Sequence, residues 1–222
     1  MDLRNKTLIH FKQCENPKCR FRFPAPMTNR PSENCPVCGF NTRIENQTSA
    51  SAKNQNIQQP ATSIRIEALL DNLRSGYNVG SIFRTADGSG INHIHLAGIS
   101  STPNHSKVAK TALGAQNNVP WSYNLNGLDV LKDLKKRGYR IWAIENNVSS
   151  KSLFDVKMPV KNESPLLIIV GNEIAGVDPG MLNQCDLILS IPMLGKKRSL
   201  NVVVAFGVVV YYLRYVASAL IE

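Results

Sequence analysis

The sequence predicts an α/β fold with a mainly parallel sheet, preceded by a small metal-binding module. Three observations predict it. Strand-like and helix-like segments alternate through most of the 222 residues, the rhythm of βαβ units. A polar stretch, NQTSASAKNQNIQQPA, separates them from the N-terminal residues. Four of the five cysteines lie before that stretch.

The head comprises residues 1–45. "CENPKC" and "CPVCG" place Cys14-x4-Cys19 and Cys35-x2-Cys38 with fifteen residues between the pairs. Two short pairs at this spacing can wrap one Zn²⁺ with four thiolates, which leaves no open coordination position and marks a structural site. A redox pair is the weaker alternative, since nothing else in the chain looks thioredoxin-like. So small a head has almost no core, and the metal would supply much of its folding energy. "CRFRFP" predicts a strand with Arg20 and Arg22 on one face and Phe21 and Phe23 on the other. The Phe pair reads as the module's core, the Arg pair as an RNA contact.

Residues 46–61 carry one charge and one large apolar side chain, Ile57. Such a segment buries too little surface to offset ordering its backbone, and reads as a flexible linker. Residues 62–222 form the main domain. Its predicted strands are 64–69, 91–97, 139–144, 166–170 and 187–191, with a helix at 128–137 closed by Gly138. Twelve successive apolar residues or glycine, 202–213, are too few to span a bilayer, which takes about 20. With Ser199 as N-cap, the stretch to Leu220 reads as a buried helix needing cover on every side. The N-terminus lacks the apolar core of a signal peptide, so the expected location is cytoplasmic, without a membrane partner. The net charge of +10 and pI near 9.5 favour a polyanionic partner.

Three segments carry candidate chemistry. In "NLRSGYNVGSIFRTADGSG", Val79, Ile82, Phe83 and Ala86 form an apolar stripe. Asn78 sits as N-cap, and Arg84 lies off the stripe with open space expected beside it at Gly80. "LLIIVGNEIAGVDPG" runs an apolar strand into Gly171 and Glu173, where open sheets bind ligands. "IPMLGKKRSLN" follows the last strand with three cations, Lys196 to Arg198. No dinucleotide-type glycine fingerprint follows a predicted strand, which argues against an oxidoreductase. His10, His93, His95 and His105 match no catalytic spacing, and His93 and His95 read as structural.

N-x-G-S-I-x-R-T-A at 78–86, G-N-E-x-x-G at 171–176 and I-P-M-x-G-x3-S-L-N at 191–201 resemble the three motifs of SpoU-type (TrmH-like) RNA 2′-O-ribose methyltransferases of the SPOUT superfamily. "KTALGAQNNVPW" at 110–121 matches a segment between the first two. The resemblance spans roughly residues 62–220, with Ser89 and Val203 as minor departures, and does not cover the head. It implies a C-terminal trefoil knot and S-adenosylmethionine held at Gly171, Asn172, Gly176, Ile191, Met193, Ser199 and Leu200. It also implies methyl transfer to a ribose 2′-hydroxyl of tRNA or rRNA through Arg84, Asn78, Glu173, Ser199 and Asn201. A guanidinium keeps its proton in proteins, which makes Arg84 an electrostatic stabiliser and phosphate anchor rather than a base. A homodimer through the knot helices would cover the apolar face left over. The alternative, a non-catalytic RNA-binding protein of the same fold, would be signalled by loss of Arg84, Glu173 or Asn201, and all three are present.

Overall fold

The computed structural model describes residues 8–26, 34–49, 64–156 and 164–216. The chain divides into two units, residues 1–58 and 59–222. In the first, β1 (Leu8–Cys14), β2 (Arg22–Pro26) and β3 (Thr42–Ser49) form an antiparallel sheet in the order β2-β1-β3. The head therefore extends past residue 45. Asn46, Gln47 and Thr48 pair with Phe11, His10 and Ile9, because a backbone ladder does not require apolar side chains. The rest of the expected linker lies outside the described residues. The alternation expected from Arg20 to Phe23 also fails. Arg20 has φ +51° and belongs to a turn, so strand β2 starts only at Arg22. The Phe21 and Phe23 rings stack on one another with centroids 5.4 Å apart, and Phe21 remains 40% exposed rather than forming a core.

The second unit runs β4 (Ile66–Asp71), α1 (Gly76–Ser89), β5 (His93–Ala97), α2 (Ser106–Ala112), β6 (Trp121–Asn124), α3 (Gly127–Lys136), β7 (Arg140–Ile144), β8 (Lys151–Ser152), β9 (Leu166–Val170), α4 (Pro179–Leu182), β10 (Leu187–Ser190) and α5 (Val202–Tyr211). Its sheet has the order β6-β5-β4-β9-β7-β10-β8, and every pairing is parallel. All five strands read from sequence are present, with ends shifted by up to two residues. β6 and β8 carried no signal of their own, being short and half-buried or exposed.

Side-chain alternation divides the core in two. Ile66, Ala68 and Leu70 of β4 and Leu166, Ile168 and Val170 of β9 face α1, α2 and α5. Leu69, Leu167 and Ile169 face α3 and α4 through Leu131, Leu134 and Met181. The stripe Val79, Ile82, Phe83 and Ala86 is fully buried. A buried carboxylate, Glu67, lies 2.8 Å from His95 Nε2 and accepts from Tyr139 Oη at 2.8 Å and Arg65 Nε at 2.6 Å. Both His93 and His95 contact the Ser122 hydroxyl, as structural histidines do.

Gly80 does not leave open space. A Cβ there would lie 2.2 Å from Thr111 Oγ1 and 2.3 Å from the Val108 carbonyl oxygen, so its bare backbone lets α2 lie against α1. The last helix also differs from expectation. Its N-cap is Asn201, which accepts from Val203 N at 2.8 Å, not Ser199, and after Tyr211 it passes into a π-helical turn, Tyr212–Val216. Leu220 lies outside the described residues. Arg214 is 4% exposed and donates to three carbonyls: Ser89 (3.1 Å), Gly90 (2.6 Å) and Ile64 (2.6 Å). Two of these close the C-terminus of α1, the negative end of its dipole. Among the described residues no helix is long and apolar enough to cross a membrane.

Gly80→Ala should therefore cost about 1–3 kcal/mol by overpacking, seen as a lower urea midpoint.

Candidate active site

The carboxyl ends of β7, β9 and β10 form one edge, where loops leave the sheet and ligands of open α/β folds bind. β9 enters Gly171, and the loop closes on itself as Asn172 N and Gly176 N exchange bonds with each other's carbonyls at 2.9 Å. A Cβ on Gly171 would lie 2.3 Å from the Gly176 carbonyl oxygen, so the turn is this tight only with glycine. Gly176 itself has φ +76°, which L side chains rarely adopt. The Asn172 side chain is used within the protein. Its Oδ1 accepts from Ile174 N and Ala175 N, and its Nδ2 donates to the Asn72 carbonyl at 2.7 Å.

Glu173 reaches the start of α1. Its carboxylate accepts from Arg74 N at 2.9 Å, Ser75 N at 3.0 Å and Asn78 Nδ2 at 2.9 Å. Asn78 is therefore not the N-cap. Ser75 is, accepting from Asn78 N, which frees the Asn78 side chain for Glu173. Partial burial would raise the Glu173 pKa, but the donors from Arg74, Asn78 and Ser75 outweigh it and hold the carboxyl below its ordinary range. It stays ionised and fully engaged, the condition of a brace rather than of a base.

A cavity of about 650 Å³ opens at this edge, lined by residues 144–147, 170–177, 189–191 and 198–202 with Met193. Gly171, Asn172, Gly176, Ile191, Met193, Ser199 and Leu200 all line it, as do Glu173 and Asn201. Asn78 lies behind it through Glu173. Arg84 does not line it. It is exposed on α1, and among the described residues it has no hydrogen bond or ion pair. The Ser199 hydroxyl likewise has no partner among them, whereas Asn201 Oδ1 is committed to capping α5.

Sequence reasoning missed Glu145 and Asn146. Glu145 follows β7, accepts from Val177 N at 3.0 Å and Asn146 N at 2.9 Å, and fills the space a Gly176 side chain would need. Asn146 Nδ2 donates to the Arg198 carbonyl at 2.9 Å, tying down the cationic loop. No local motif marks either residue. Only their place just after a strand that ends at the same edge could have found them.

Residues 65–211 match the model of the SpoU rRNA Methylase family. The chain belongs to this family. It is 30% identical over 174 residues to the 23S rRNA (guanosine-2′-O-)-methyltransferase RlmB of Neisseria meningitidis serogroup B, covering 78% of this chain and 66% of that one. The A. aeolicus TrmH/SpoU tRNA modifying enzyme superposes with a TM-score of 0.60 at 26% identity, over 70% of this chain and 76% of that one. An AdoMet-bound rRNA methyltransferase from Sinorhizobium meliloti shares the fold, with a TM-score of 0.63 at 24% identity over 74% of this chain and 60% of that one. The chain spans between 55% and 66% of the length of such curated SpoU relatives.

Glu173→Gln supplies one acceptor oxygen where two are used, and should cost about 0.5–1.5 kcal/mol. The ionised brace contributes fully above the ordinary glutamate range, near pH 4.3, and is lost as pH falls through its lowered folded value. Urea midpoints followed against pH should show a flatter acid limb in the variant.

Proposed function

We propose that the protein is an S-adenosylmethionine-dependent RNA methyltransferase that modifies a ribose 2′-hydroxyl of tRNA or rRNA. The observation that carries the reading is the cavity onto which the second and third motifs converge, in a chain of the SpoU family. Its volume lies within the ~300–1,000 Å³ usual for cofactor sites. S-adenosylmethionine bound there would supply an electrophilic methyl group. Gly171, Ile191, Met193 and Leu200 would hold it through their backbones, with Asn172 and Gly176 keeping the loop in shape. Ser199, with its hydroxyl unengaged at the cavity wall, receives the ribose hydroxyl. Glu173 and Asn78 fix the loop against α1, and Asn201 fixes the start of α5. Arg84, outside the cavity, anchors an RNA phosphate and so places the ribose at the cavity mouth, which makes it a positioning cation.

The C-terminal part follows the trefoil-knotted path implied by the family resemblance. The placing of β9 between β4 and β7, and of β10 between β7 and β8, supports this. Two chains pair through α5. Val204 (50% exposed), Tyr211 (43%) and Tyr215 (39%) leave an apolar strip uncovered, and the Tyr211 and Tyr215 rings stack at 6.0 Å.

The head binds one structural Zn²⁺ on Cys14, Cys19, Cys35 and Cys38. The four sulfurs lie within 4.8 Å of one another, and Cys14–Cys38 and Cys19–Cys35 are 3.5 and 3.9 Å apart. A tetrahedron with Zn–S bonds near 2.3 Å has edges of about 3.8 Å. The two knuckles repeat one turn. Arg20 N donates to the Asn16 carbonyl and Gly39 N to the Cys35 carbonyl, with positive φ at both donors.

Incubating the purified protein with cellular RNA and labelled S-adenosylmethionine should give a 2′-O-methylated nucleotide, and no transfer to any RNA would refute the activity. Arg84→Ala should fold and bind the cofactor but lose about 10- to 100-fold in kcat/KM, as expected for one charge-assisted contact. Arg84→Lys should recover little without the planar fork.

Elemental analysis should find about one zinc per chain. A strong chelator should remove it and unfold the head while cofactor binding survives.

A further inference from the structure

The head sheet presents a face that the metal site does not use. Strand register assigns the side chains. Phe11, on the central strand β1, is flanked by Pro24 of β2 and Asn46 of β3. One pair along, Gln13 is flanked by Arg22 and Arg43. These share one face, because directly paired residues point the same way. Cys14 and Lys12, both buried, fall on or lean toward the opposite face by the same alternation. Phe11 is 36% exposed, and Arg22, Pro24, Arg43 and Asn46 are exposed with it. With its amide turned to accept, Asn46 takes a hydrogen bond from Arg22 Nη2 at 3.1 Å, so the guanidinium reaches across the sheet. Its acceptor is neutral, and among the described residues Arg22 has no carboxylate partner. Arg43 pairs with Glu45, the residue extruded at the β-bulge.

We infer that this face is a stacking platform for unpaired bases of single-stranded RNA, with Phe11 as the stacking ring and Arg22 and Arg43 as phosphate contacts. The inference rests on the RNA substrate proposed above and locates a second RNA site in the head. Three properties select this ligand. A sheet face carrying an aromatic ring on its middle strand offers a π-face to splayed-out bases and nothing that fits a narrow A-form groove. Arginines flanking the ring supply backbone contacts and stack on bases as well. Residues 1–60 carry nine Lys or Arg against four Asp or Glu, an excess that remains positive after four thiolates and Zn²⁺ contribute −2. Protein partners do not require such an excess.

The test measures fluorescence anisotropy of a labelled oligouridylate, and of an RNA duplex of equal length, with the zinc-loaded 222-residue chain and no cofactor. Phe11→Leu keeps an apolar side chain but removes the π-face, and Arg22→Gln removes the charge. Zinc content and far-UV circular dichroism confirm that each variant folds. Wild type should prefer the oligouridylate. Phe11→Leu should weaken that binding by about 5- to 100-fold, and Arg22→Gln should weaken it and flatten its salt dependence. Equal binding by wild type and both variants, no wild-type binding, or a preference for duplex would overturn the inference. Binding is read without methyl transfer, so an inactive protein with an intact platform refutes the proposed activity alone.

Discussion

The domain turns on one carboxylate. β4 and β9 are neighbours at the middle of the sheet, yet their outgoing loops belong to segments about 100 residues apart. Glu173 joins them by accepting from the backbone N–H groups of Arg74 and Ser75 and from the Asn78 side-chain amide where α1 begins. Asn172 adds a second tie to Asn72. The first of these loops starts the helix that carries Arg84, and the second walls the cavity. The relative placement of charge and cavity therefore rests on these hydrogen bonds as well as on the apolar core beneath.

Much of the fold was legible because hydrophobic periodicity reports burial. β9 is buried along its whole length and was read to the residue, and the α1 stripe is buried as its spacing implied. What failed had its cause outside the local sequence. Gly80 is small because α2 presses on it, a contact with residues about thirty positions away. Ser75 and Asn78 are both good caps, and only the partner Glu173, far along the chain, decides which serves. Residues 46–49 are polar and were read as linker, but edge strands are held by backbone bonds. The site was legible where its residues follow strand ends in a motif. Glu145 was not, because its position is set by Val177 across the loop.

The two units divide the physical tasks. The larger has a double-sided core and shapes its cavity with turns that only glycine permits. Among the described residues of the smaller, only Lys12, Cys14 and Cys35 are buried. Its sheet is thus free to leave one face to solvent, with proline at two positions of the edge strand β2 protecting that edge against further pairing.

Arg214 sets an order of events. Its guanidinium bonds the carbonyl of Ile64, 150 residues earlier, while α5 supplies Phe206, Val209 and Val210 to the core that α1 shares. At 5–20 residues per second, that interval takes a ribosome about 8–30 s. Through that time the part of the core that α5 covers stays open and the end of α1 is unclosed. Completion of the domain must wait for α5 and Arg214 to emerge. A nascent chain stalled or cut before Arg214 would thus expose a sticky, unfinished sheet, so removal of this one guanidinium should matter more to yield in the cell than a single side chain suggests.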